Sequence, residues 1–245
     1  MESSKLQQVI AHKGITSRRK AEDLIRAGKV SVNGKTAHIG QRVVLGEDII
    51  SVNGEKIDKP EKLRYFLVYK PVGYVSTTSD ELGRKTVLKL LPAKVTERLY
   101  PVGRLDKDSE GLMLLSNDGE LANKLTHPSF GIQKTYEATV KGKVSYKALQ
   151  HLRRGVRLSE GYVSPRSAKL LDKDPDQSII QISLSEGKKH QVRRMVARIG
   201  YDVIKLVRTK LGPFQLEHLG GKPVREITKE DILTISKLDS SDLTT

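Results

Sequence analysis

Two near-copies of one short pattern, "VSVNGKTA" at residues 30–37 and "ISVNGEKI" at 50–57, do more than any other feature to limit how this chain can fold. Asn-Gly between alternating apolar residues is the strongest local cue for a tight β-hairpin, because both central turn positions need a positive φ. The pattern predicts two hairpins in a small twisted sheet. Ahead of them, "KLQQVIAHKG" sets Leu6, Val9 and Ile10 at helical spacing and stops at Gly14. "TSRRKAEDLIRAGKV" predicts a second helix, capped by Thr16 or Ser17, striped by Ala21, Leu24 and Ile25, and ended by Gly28. Residues 1–57 read as one small domain, and the polar, proline-bearing stretch 58–62 as a linker.

From residue 63 the texture changes to strands and turns. "LRYFLVYK" and "GYVST" predict strands on either side of Pro71-Val72-Gly73, and "GLMLLS" a short buried strand. "ELANKLTHP" reads as a helix stopped by Pro128. "QKTYEATVKG" alternates cleanly, with Lys134, Tyr136, Ala138 and Val140 on one face. "SIIQISLSEG" and "VIKLVRTKLGPFQLEHL" are further strands. Between them "HQVRRMVARIG" predicts a helix with Val192, Met195, Val196 and Ile199 on its stripe and Gly200 after its end. The expected fold class is α+β: a small N-terminal domain, then a larger one over 63–237 with a mixed, mostly antiparallel sheet flanked by helices. Residues 238–245 are expected to form a disordered tail.

With 44 Lys and Arg against 29 Asp and Glu, a net charge of +15, the chain is built to meet a polyanion. The absence of cysteine excludes a disulfide framework and any thiolate ligand or nucleophile. No apolar run resembles a signal sequence or membrane span, so a soluble, cytoplasmic, monomeric protein is expected.

Against this basic background, "GRLDKDSEGLMLLSNDGE" at 103–120 packs five acidic side chains together. Asp106, Asp108, Glu110 and Gly111 fall at positions one, three, five and six of a calcium-loop pattern, but Asn117 stands where the bidentate glutamate belongs. No metal is expected. Asp106 follows the apolar anchor Leu105, and Gly103 and Gly111 give the backbone room to carry its carboxylate into a pocket. Tyr136, on an inward-facing strand position, is either a core tyrosine or a ring on which a flipped base stacks. "GKKHQVRRMVAR" holds Lys188, Lys189, Arg193, Arg194 and Arg198 and no acid, which favours phosphate contact. On the helical wheel Arg194 and Arg198 lie opposite the apolar stripe, whereas Arg193 lies at its edge, where a guanidinium can be aimed into a cleft. Arg153, Arg154, Arg157, Lys205, Arg208 and Lys210 add further cations.

With these residues in view, the chain resembles the RsuA/RluB family of ribosomal RNA pseudouridine synthases, nearer the large-subunit RluB branch. The likeness rests on "YKPVGYVST", "YPVGRLDKDSEGLMLLSNDGELANKLTHP", "KTYEATV" and "EGKKHQVRRM", in that order, and on "RRKAEDLIRAGKVSVNG", which resembles the small RNA-binding domain first known from ribosomal protein S4. The resemblance implies a pseudouridine synthase fold with a nucleophilic aspartate at Asp106, an active-site tyrosine at Tyr136 and an arginine at Arg193 paired with Asp106. It also implies RNA contacts from Arg104, Lys188, Lys189, Arg194 and Arg198, and from Lys13, Arg18, Arg19 and Lys20 in the N-terminal domain. The implied reaction isomerises a specific uridine, 23S RNA being favoured over 16S, on a flipped-out base and with no cofactor. Attack at the sugar, attack at the base and a glycal route are all compatible with one carboxylate. Two rivals are a non-catalytic RNA-binding or ribosome-assembly factor and an RNA hydrolase. The first has no use for a carboxylate facing a polyanion. The second finds no paired carboxylates with metal-like spacing and no histidine pair, since His12, His38, His127, His151, His190 and His218 are scattered.

Overall fold

A computed structural model describes residues 3–57 and 62–241, with side chains to residue 236; residues 58–61 of the expected 58–62 linker and the last four residues lie outside it. Contacts divide the chain into two compact units, one of residues 1–63 with 96–98 and 117–119, the other the remainder.

The first unit runs β1 (Ser3–Lys5), α1 (Leu6–His12), α2 (Arg18–Arg26), β2 (Val30–Val32), β3 (Lys35–Thr36), β4 (Arg42–Val44), β5 (Ile50–Val52) and β6 (Glu55–Lys56). Ser17 caps α2 by accepting from Lys20 N at 3.2 Å. Both Asn-Gly turns form, with Asn33 and Asn53 at φ of 52° and 51° and Gly34 and Gly54 at 78° and 84°. The two hairpins pair through β2 and β5 into one sheet of order β3-β2-β5-β6. Leu6, Val9 and Ile10 of α1 and Ala21 and Ile25 of α2 close over Val30, Val32, Ile50 and Val52, so this unit owns a core.

The second unit continues with β7 (Tyr65–Lys70), β8 (Tyr100–Val102), β9 (Glu110–Ser116), α3 (Gly119–Thr126), β10 (Lys134–Lys141), α4 (Tyr146–Arg154), β11 (Val156–Leu158), β12 (Gly161–Val163), β13 (Ser167–Lys173), β14 (Gln177–Leu184), α5 (Gln191–Arg198), β15 (Val203–Leu211), β16 (Phe214–Gln215), β17 (Val224–Ile227) and α6 (Lys229–Ser241). The last helix thus extends past Leu238, where the sequence suggested fraying. Among the described residues no helix is long and apolar enough to cross a membrane. The main sheet has the order β13-β14-β10-β15-β9-β7-β17, with β16 on β15 and β8 on β9. Every ladder is antiparallel except β15 with β9.

Both faces of this sheet are covered. On one, Phe66, Met113, Ala138 and Ile180 pack with Leu149 and Leu152 of α4 and Val192, Met195 and Val196 of α5. On the other, Leu67, Leu112 and Leu114 pack with Leu125 of α3 and Ile232 of α6. Burial from two sides explains why "YFLV" and "GLMLLS" are unbroken apolar runs instead of alternating ones. Two readings change. "GYVST" is not a strand: it makes one isolated bridge, Val75 with Thr86. The helix α4 was missed, although Ser145 caps it by accepting from Ala148 N at 3.1 Å.

Candidate active site

Asp106 lies on the loop between β8 and β9, and three residues of the "KPVGYVS" segment hold that loop by its backbone. Ser76 Oγ donates to Leu105 O at 2.8 Å and faces Leu105 N at 3.1 Å. Gly73 N donates to Lys107 O at 2.8 Å. Lys70 Nζ donates to Ser109 O at 2.6 Å and to Pro71 O at 3.1 Å. Leu105 itself is buried at 7% exposure. The segment read as a strand therefore has another purpose: its polar groups clamp the aspartate loop from beneath. Burial lowers the Lys70 ammonium to about 8, a fall partly offset by the carboxylates of Asp108, Asp106 and Glu110 and reinforced by Arg208.

The Asp106 carboxylate opens on a cavity of about 290 Å³ whose lining includes Arg104, Lys134, Tyr136, Lys188, Lys189, His190, Leu206 and Arg208. Tyr136 reaches it from β10, where it stands opposite Arg208 of β15 in the antiparallel ladder. Gly111 is what allows β15 to come so close. Its φ is +112°, and a Cβ there would sit 2.6 Å from Arg208 N and nearer still to Arg208 O.

The turn at 185–190 forms the opposite lip. Gln191 fastens it by accepting from Lys188 N at 2.9 Å and donating to Glu186 at 2.5 Å. His190, left-handed at φ 51°, places Nε2 3.4 Å from Asp106 Oδ1. His190 is thus brought to the site despite reading as one of six scattered histidines.

The expected Arg193–Asp106 pair is not present. Arg193 Nε is 3.2 Å from Asp108 Oδ2, an ion pair whose angle falls short of a hydrogen bond. Its Nη2 donates to Asp108 O at 3.0 Å and its Nη1 to Val203 O at 2.9 Å. Arg193 therefore ties the aspartate loop to α5 and β15 from two residues beyond Asp106. Arg194, expected to face phosphate, is engaged elsewhere. It grips Glu160 with both terminal nitrogens, at 2.7 and 2.6 Å, and donates Nε to Lys189 O at 3.0 Å. The guanidinium holds the Glu160 carboxyl down at about 2. Arg198 is exposed on α5; Arg18, Arg19 and Lys20 are exposed on α2 and Lys13 is partly so, these last four within the first unit. Asp106, Asp108 and His190 bring one potential ligand atom each within 4.8 Å of one another; Arg193 already sits on Asp108 there, in competition with any cation.

Lys134 and Arg208 are two cavity cations that the sequence reading did not assign to the site. Their signal was faint: Lys134 shares its strand face with Tyr136, and Arg208 was one cation among many. A carboxylate kept inside a cation-rich cavity suits chemistry on a polyanion's base or sugar better than mere attachment to it.

Residues 64–198 match the family described as RNA pseudouridylate synthase, and residues 4–50 match the S4 domain. The chain belongs to the RNA pseudouridylate synthase family. Ribosomal large subunit pseudouridine synthase B of Bacillus subtilis (strain 168) is 48% identical over 237 residues, 96% of each chain. An uncharacterized RNA pseudouridine synthase of Aquifex aeolicus (strain VF5) is 36% identical over 235 residues, 95% of this chain and 94% of its own. A crystal structure of a pseudouridylate synthase, 30% identical, has a TM-score of 0.64 and covers 94% of this chain and 99% of its own.

Proposed function

We propose that this protein, acting as a monomer, isomerises one uridine of large-subunit (23S) ribosomal RNA to pseudouridine, with Asp106 as nucleophile on a flipped-out base. The observation that carries the reading is the position of Asp106: a carboxylate at a basic cavity shared with Tyr136, on a loop clamped through the backbone of its neighbours. The large-subunit target is supported by the name of the Bacillus subtilis relative.

The reaction breaks the bond from ribose C1′ to uracil N1, turns the base, and joins C1′ to C5. The C5 proton leaves and N1 takes one up, so no redox step is involved. Asp106 attacks or stabilises the electron-poor centre while the base is detached. The Tyr136 ring offers a stacking surface for the turning uracil. Extruding the uridine costs a few kcal/mol, which phosphate contacts by the cavity's cations offset. Arg193 and Lys70 act on Asp106 at one remove, by holding the backbone that follows it at Asp108 and Ser109, while Ser76 holds Leu105 before it.

The test is tritium release from ribosomal RNA labelled at uridine C5. Asp106→Asn should abolish release while changing RNA affinity by less than about threefold. Parallel loss of binding would overturn the nucleophile, and no release by the wild type from free RNA or ribosomal particles would favour a binding factor.

A further inference from the structure

We propose that Lys134 and Arg208 form a phosphate subsite inside the cavity, taking one phosphodiester of the RNA strand beside the base on which Asp106 acts; the inference rests on the RNA reading above. Lys134 opens β10 on the same face as Tyr136, and Arg208 stands across the ladder from Tyr136. Both line the cavity.

Neither cation is neutralised. Arg208 is 1% exposed. Its Nε donates to Leu112 O at 2.9 Å and its Nη1 to Arg104 O at 3.4 Å. Its Nη2 is buried with no partner among the described residues. The Lys134 side chain forms no hydrogen bond or ion pair among the described residues, and its ammonium is held below the ordinary lysine value by burial and by Arg208. Of the carboxylates that line the same cavity, Asp106 lies 3.4 Å from His190 Nε2, and Glu186 accepts from Gln191 and pairs with Lys188 at 3.1 Å.

Two like charges in one cavity, Arg208 buried and Lys134 half-buried, one with a donor unsatisfied, cost free energy that an anion between them returns. A uracil carbonyl would satisfy the free Nη2 but leave the lysine charge standing. A phosphodiester supplies both the acceptor oxygens and the full negative charge. It must also travel with the extruded nucleotide, which brings it to this cavity.

The test uses the full-length protein with Lys134→Met and Lys134→Arg; Arg208 is left intact because it holds two carbonyls. A large-subunit ribosomal RNA transcript is the probe. Lys134→Met should lower kcat/KM for tritium release about tenfold and reduce the slope of log affinity against log salt by up to about 0.7. Its Tm should hold or rise, because a half-buried cation without a carboxylate partner has been removed. Lys134→Arg should recover most of the activity. Unchanged kcat/KM and slope, or a Tm that falls together with activity, would overturn the subsite. If the wild type releases no tritium, the isomerase reading fails by itself. Transcript affinity of Lys134→Met then decides alone: weaker binding with a smaller slope sustains the subsite, and unchanged binding removes it.

Discussion

Lys70 shows how much a single side chain can do out of sight of the chemistry. It is fully buried, at 0% exposure, because β7 is covered on both faces, and its ammonium is spent on two carbonyls of the segments that carry the site. Its folded-state value of about 8 against 10.5 for the free side chain makes a stability prediction with a defined sign. Between these values the unfolded chain holds a proton that the folded chain has released, so stability rises with pH. The gap in unfolding free energy between wild type and Lys70→Met should widen from pH 8 to pH 10 by about 1 kcal/mol per pH unit. Urea titrations at the two pH values measure it; a gap that stays flat would mean the lysine is not desolvated. From sequence, Lys70 was only the end of a strand, since burial of a lysine goes against its type. Asp106 was legible because the glycines and the leucine around it are local. The partner of Arg193 was not, because Arg193 and Asp108 meet only through the packing of α5 against the sheet.

At the scale of elements, the parallel contact of β9 with β15 is the joint that brings Arg208 to the cavity, and Gly111 is its hinge pin. Gly111→Ala would drive a methyl into the Arg208 backbone at a φ that L residues rarely adopt. It should cost about 3 kcal/mol or more, seen as a lowered denaturant midpoint, and reduce tritium release in parallel; a midpoint within 1 kcal/mol of wild type would show that the strands part easily. Periodicity found β10 and α5 because each exposes one face, so the buried side is written into the spacing. It failed for "GYVST", whose residue types favour a strand. There Gly73 and Ser76 serve the aspartate loop, and Val75 has only the single bridge to Thr86.

For the whole molecule, the first unit carries its own core and a helix whose opening turn is oddly charged. Arg18, Arg19 and Lys20 open α2, with no acid in that turn, although a helix N-terminus prefers negative charge. Cations that burden their own helix are understandable as RNA contacts. Replacing all three by glutamate should hold or raise thermal stability, weaken affinity for the ribosomal RNA transcript at least tenfold, and reduce the salt slope by up to about 2. Unchanged affinity in filter binding would remove the first unit from RNA recognition. The sequence alone determined the hairpins, the striped helices, the α+β class and the candidacy of Asp106, because turn φ, helical spacing and a local run of glycines act between neighbours in the chain. Only the tertiary structure decided that Arg193 meets Asp108, that Arg194 meets Glu160, and that Lys134 and Arg208 share a cavity. Those pairings join distant elements, and charge acts through space, so its partners are assigned only once the sheet has closed.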